Sequence, residues 1–199
     1  MNHRLSLILR VLPAVALFAC ATTSTRVATS WKSPAYGGMK NVLVVGISQD
    51  QATRRKFEDD FVKQLEKHKV AATPSYSVFS GEKLPSEDAV NAFLKEKMMD
   101  TVLITRVTDI KDVEHYVPGN TGPYLSYWGF YGRGWGISHT PGYTITHTEV
   151  VLETNLYNVA SGGLEWAATS RTTTEGDRVD VVESFIPAIV QKMGQDKLF

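Results

Sequence analysis

The chain has 199 residues, 43% of them hydrophobic and 21% charged, which suits one domain with an ordinary buried core. Its 21 basic and 21 acidic residues cancel; setting aside Arg4 and Arg10 in a removable leader leaves 19 against 21, near −2. That balance argues against nucleic-acid binding, which needs a basic surface to release counterions. A single cysteine, Cys20, excludes an internal disulfide.

The N-terminus reads as an export signal. His3, Arg4 and Arg10 are followed by the uncharged run Val11–Ala19, which ends in a small residue directly before Cys20. The run is too short to stay in a bilayer as a spanning helix. Leu17-Phe18-Ala19-Cys20 resembles the lipobox of bacterial lipoproteins. The resemblance implies a signal peptide over 1–19, acylation of Cys20 (palmitate or a similar chain) and a periplasm-facing outer-membrane protein, since Ala21 follows the cysteine. Each buried methylene of such an anchor contributes about 0.8 kcal/mol. No other cofactor is expected.

Residues 20–25 form a small, polar tether, and 26–199 the single domain. Arg26–Trp31 alternates as a first strand, ended by Ser33-Pro34, with a turn at Gly37-Gly38. Asn41–Ile47 is a β-branched run of the kind buried on both faces. Ser48-x-x-Gln51 has the capping-box pattern for a helix whose apolar face is Phe57, Phe61, Val62 and Leu65. Arg54, Lys56, Asp59, Lys63 and Lys67 fall on its other face. After a short strand at Val70–Ala72, Ser86 caps a second helix with buried stripe Val90, Phe93, Leu94 and Met98.

Thr101–Val107 is a further buried strand. Tyr143–Tyr157 and Leu164–Thr174 then form a long hairpin around the turn Asn158–Gly163. In the first of these, Tyr143 and Ile145 are out of phase with Val150, Leu152 and Leu156, which predicts a bulge near Thr148. Asp177 or Asp180 opens a last helix carrying Val182, Phe185, Ile186, Ile189, Val190 and Met193, kinked by Pro187. The order of elements implies an α/β (α+β) fold. It has a mixed, largely antiparallel sheet, two or three helices packed on it, a long C-terminal β-hairpin and a final helix.

Leu156-Tyr157-Asn158 followed by Gly163-Leu164-Glu165-Trp166 resembles the hairpin of small bacterial envelope lipoproteins of the DUF4136 type, with Asn158 where that pattern has Asp. The element order is more remotely similar to lipoproteins of secretion, polysaccharide-export and cell-wall-synthase-activating systems. Those relatives act by binding and assembly, so the resemblance implies no active site.

The segment 116–142 stands apart. Tyr116–Tyr143 holds eight of the chain's 20 aromatic residues and seven glycines, with no acid and one basic residue, Arg133. Tyr and Trp combine contact area with a polar tip, and long loops tend to be functional or disordered. Tyr124, Tyr127, Trp128, Phe130, Tyr131 and Trp135 are therefore the candidate contact surface for an envelope protein, a glycan or the membrane. The opposing possibility is a flap folded on its own sheet.

Other chemistry is sparse. His139, His147, Asp109, Asp112, Glu114 and His115 cluster in sequence without the spacing of a zinc or calcium site. There is no G-x-S-x-G elbow, and Gly46 lacks the companions of a phosphate-binding loop. The leading reading is a non-catalytic, lipid-anchored binding or assembly module. The alternative is a subunit of an oligomeric envelope ring or export assembly, with a periplasmic enzyme third.

Overall fold

The computed structural model describes residues 23–79, 86–117, 142–175 and 178–199. Six strands form one mixed sheet: β1 (Ser24–Lys32), β2 (Asn41–Ile47), β3 (Ala71–Pro74), β4 (Thr101–Val117), β5 (Tyr143–Asn158) and β6 (Leu164–Thr174). Their spatial order is β1-β6-β5-β4-β2-β3. Neighbours from β1 to β4 run antiparallel, while β2 is parallel to both β4 and β3. The helices are α1 (Gln51–Lys67), α2 (Glu87–Glu96) and α3 (Arg178–Gln195). No helix among the described residues is long and apolar enough to cross a membrane.

Alternation decides which face of the sheet is covered. On one face Val42, Val44, Leu103, Leu156 and Trp166 are at most 1% exposed, packed beneath Phe61 and Leu65 of α1 and Phe185, Ile189 and Met193 of α3. On the other, α2 covers only the β2 end, where Leu43, Leu94 and Met99 form a small cluster with Val90, Phe93 and Val102. The stretch of that face on β4, β5 and β6 is open. Its side chains are paired charges: Arg106 with Glu153 at 2.7 Å, and Glu149 with both Arg171 at 3.0 Å and Lys111 at 3.2 Å.

Several local expectations are replaced. Asp50, not Ser48, caps α1; its carboxylate accepts from the Ala52 and Thr53 amides, and Ser48 Oγ accepts from the Asp50 amide. An ionised cap reaches two orphan donors and complements the helix dipole. Met98 is 83% exposed and Met99 takes the buried place, because α2 ends at Glu96 and Met98 has a left-handed φ of 50°. Ser24 and Thr25, assigned to the tether, open β1, where Thr25 Oγ1 lies 2.7 Å from Thr172 Oγ1. Pro187 lies inside α3, as expected, and is exposed.

The phase change in the hairpin has another origin. Pairing of β5 with β4 is unbroken from Thr148 to Tyr143, and the irregularity sits in β4, between Val107 and Asp109. Tyr143, Ile145 and His147 thus keep step with Glu149 and Glu153 on the open face. The turn Asn158–Gly163 is held by Asn158 Oδ1, which accepts from the Ala160 and Ser161 amides, with Gly162 at φ +67°. An Asp there would offer the same acceptor.

Candidate functional site

β4 is ten residues longer than the buried run Thr101–Val107 announced. Its pairing with β2 ends at Ile47↔Arg106, and that of β5 with β6 ends at Thr148↔Thr174. Beyond these points, among the described residues, β4 and β5 pair only with each other, down to Val117↔Tyr143. At about 3.4 Å per residue, the stretch from Asp112 to Val117 carries the ribbon roughly 17 Å past its last three-stranded row. Residues 118–141 join its two ends.

The ribbon separates residues that the sequence brings close. Lys111, Val113 and His115 share a face with Glu149, His147 and Ile145, whereas Asp112 and Glu114 share the opposite one with Thr148 and Thr146. Thr148 Oγ1 donates to Asp112 at 2.8 Å. His115 and His147 are thus divided from Asp112 and Glu114 by the sheet itself. Among the described residues no group of three or more His, Cys, Asp or Glu is placed to hold a metal ion. Tyr116 and Tyr143 at the far end are 63% and 55% exposed. The Tyr116 phenol lies over Gly142, in the space a Cβ would occupy.

At the ribbon's root lies an apolar cleft of about 440 Å³ between the N-terminal halves of α1 and α3. Val150 and Leu152 form its floor, Phe57 and Val182 its walls, and Val107 and Ile110 its outer rim, the last two 46% and 59% exposed. It opens beyond the carboxyl end of β2, the usual position for a crevice in sheets with parallel strands. Gly46 is required there: an added Cβ would lie 2.7 Å from Phe57 Cδ1.

One wall is set by a group the helix pattern concealed. Glu58, which the sequence did not single out, is fully buried. Its Oε1 accepts from Gly46 N (3.0 Å), Arg54 Nε (3.0 Å) and Ser75 Oγ (2.7 Å), and its Oε2 from Tyr76 N (2.9 Å). Arg54, expected on the exposed face, turns inward to this carboxylate and to Ser75 Oγ at 2.7 Å. Only the i,i+4 spacing of Arg54 and Glu58 hinted at a pair; nothing hinted that it was buried.

On the open face, hydrogen bonding from Lys111 holds the Glu149 carboxyl below its ordinary range, with Arg171 adding to it. Asn155 and Arg106 do the same to Glu153. These carboxylates are engaged with cations rather than poised for proton transfer. Cys20, Tyr124, Tyr127, Trp128, Phe130, Tyr131, Trp135 and His139 lie outside the described residues.

No protein-family model matches the chain, so the DUF4136-type likeness of the hairpin stays a resemblance. No curated protein matches it either. Among solved structures, the PelC dodecamer from Paraburkholderia phytofirmans overlaps 85% of this chain and 94% of its own, at 15% identity and a TM-score of 0.44. Lipoprotein GNA1162 from Neisseria meningitidis overlaps 78% of this chain and 99% of its own, at 14% identity and a TM-score of 0.43. Overlaps this loose lend the chain no function.

Proposed function

We infer that this is a non-catalytic, lipid-anchored envelope protein that binds or assembles through the far end of its β-ribbon. The observation that carries this is the run of β4 and β5 past their last sheet partners to the pair Val117↔Tyr143. None of the described residues 112–117 and 143–148 is buried, so the ribbon adds little to the core while it costs conformational entropy to order. Its use is to present what it connects. What it connects is the aromatic and glycine-rich segment 118–141, with Trp128 and Trp135 as the leading contact residues. Cys20, acylated, anchors the chain on the periplasmic side of the outer membrane.

The engaged state of the charged side chains supports a role without chemistry. Glu58, Glu149, Glu153 and Asp60 each accept from a cation, and Asp50 caps a helix.

Photo-crosslinking in intact cells tests the reading. A photoreactive residue at position 128 is expected to give one discrete product, absent when the same residue replaces exposed Lys63 on α1. Identical patterns from the two positions would remove the ribbon end as the contact.

A further inference from the structure

The cleft at the ribbon's root is floored and rimmed by two cross-strand pairs, Val107↔Leu152 and Ile110↔Val150, with Phe57 and Val182 as its walls. Its volume of about 440 Å³ falls within the range of sites that take a small apolar ligand. Ile47 shares the rim with Val107 and Ile110, and all three are exposed. Apolar side chains gathered on one rim mark a binding surface, which singly scattered ones do not.

The charges decide what kind of occupant fits. No carboxylate is among the described residues that line the cleft, and its two arginines are already engaged, Arg54 by Glu58 and Arg106 by Glu153. A free fatty acid or a phospholipid would bring an anion to a place whose described cations are taken. An acyl chain joined through an ester or an amide brings no charge. Ser48 and Gln49, which also line the cleft, are able to donate to its carbonyl.

Such a chain has a source nearby. Thr25, Thr172, Val150 and Ile110 form one row across β1, β6, β5 and β4. Thr25 Oγ1 lies 3.0 Å from Ser184 Oγ of α3, whose preceding turn supplies Val181 and Val182 to the cleft. At about 4.8 Å per strand, Val150 is roughly 10 Å from Thr25 across the sheet. β1 begins at the end of the sheet where β2 finishes, so the chain leading back to Cys20 departs from the end where the cleft opens. Cys20 precedes Thr23 by three residues, a reach of at most about 11 Å.

We propose that one acyl chain of Cys20 is seated in this cleft, so that the domain holds part of its own anchor. The inference rests on the acylation proposed above and gives it a seat on the fold. Where Cys20 carries several chains, the others remain in the bilayer, and two such signals suffice for stable anchoring. The consequence is orientation: the seated chain draws the cleft toward the membrane surface, where a bare tether would let the domain swing.

The test uses the full lipidated protein in cells, with a photoreactive residue at rim position 107 or 110, where the exposed side chain tolerates replacement. After irradiation the chain is isolated and digested, and the linked peptides are identified by mass. The expected product joins the rim peptide to the acylated N-terminal peptide of the same chain, at monomer mass, and is absent when the photoreactive residue replaces Lys63. Capture of a phospholipid, of a foreign protein or of a peptide from 118–141 would each overturn the proposal, as would no capture at all. An N-terminal peptide recovered without an acyl chain would overturn it together with the anchor. If that peptide is acylated and position 128 still gives its discrete product while the rim captures no acyl chain, this inference fails and the contact reading stands.

Discussion

Replacing Glu58 tests whether the cleft wall is held by a buried charge or only by its hydrogen-bond acceptors. In Glu58→Ala the amides of Gly46 and Tyr76 lose their acceptor, and Arg54, 16% exposed, keeps only Ser75 Oγ. Breaking a buried ion pair from one side costs about 3–5 kcal/mol. The remaining Ser75 contact and partial solvent access of Arg54 favour the low end, about 3 kcal/mol. With a urea slope of about 2 kcal/mol/M, the unfolding midpoint should fall by about 1.5 M. Glu58→Gln keeps the shape and an acceptor oxygen but turns an NH₂ toward one of four donors, so it should lose about half as much. Urea titrations followed by circular dichroism, together with Arg54→Ala and the double variant, give the coupling energy. If Glu58→Ala and Glu58→Gln were equally harmful, the charge would be the stabilising element and the acceptor argument wrong. If both lay within about 0.5 kcal/mol of the parent, the whole network would be ornamental.

Gly46→Ala should cost about 1–3 kcal/mol in chemical denaturation, because the Phe57 ring must give up part of its packing on Phe61 and Phe185 to admit the methyl. Adding Phe57→Leu should recover part of the loss, and no recovery would place the strain elsewhere. Trp166 donates its indole N–H to Asp196 at 2.9 Å, and Lys192 lies 2.7 Å from the same carboxylate. Burial raises the pKa of Asp196, but Lys192 and Trp166 outweigh it and leave the carboxyl below its ordinary value. Asp196→Asn should cost about 1 kcal/mol with a changed tryptophan emission, and an unchanged melt would show that the indole bond contributes nothing net. Glu149 and Glu153 have depressed folded-state values, so their stabilisation is present above the ordinary carboxylate range and lost as pH falls through the folded values. Amides of Arg106–Asp112 and Thr148–Glu153 should therefore lose hydrogen-exchange protection in acid earlier than those of β2. Loss in step with β2 would mean that these carboxylates do not hold the ribbon's root.

The elements legible in the sequence are those whose side chains are sorted by burial. Leu164–Thr174 was readable to the residue because Trp166, Ala168, Ser170, Thr172 and Thr174 all turn to the core. β2 was readable because helices lie on both its faces. Thr108–Val117 was not, because among the described residues no helix covers either face there, so apolar and charged residues follow no period that burial imposes. The same absence produced the misplaced bulge at Thr148. In solvent, Tyr143 and Ile145 carry no information about phase. Arg54, expected on the exposed face, was misplaced for the opposite reason: it turns in to Glu58, and only the strand end at Gly46 and the turn at Ser75-Tyr76, distant in sequence, supply the further donors that let that carboxylate be buried. Cys20 and the aromatic segment were legible by composition and motif alone, which describe an address and a material, not a geometry.

The open face of the sheet bears on how the ribbon is used. Arg106 pairs with Glu153, and Glu149 with Lys111 and Arg171, across β4, β5 and β6; from Lys111 onward the pairing of β4 with β5 runs unbroken into the ribbon. Exposed pairs of this kind contribute little to stability individually, typically below about 1 kcal/mol. What they do well is fix register, since a slip of one residue would set Lys111 and Glu149 on opposite faces. Register at the root determines which residues meet at the end, where Val117 faces Tyr143 and the Tyr116 ring crosses Gly142. The charged rows thus do for the ribbon what apolar packing does for the rest of the sheet. A contact element built this way keeps its aim without a core of its own.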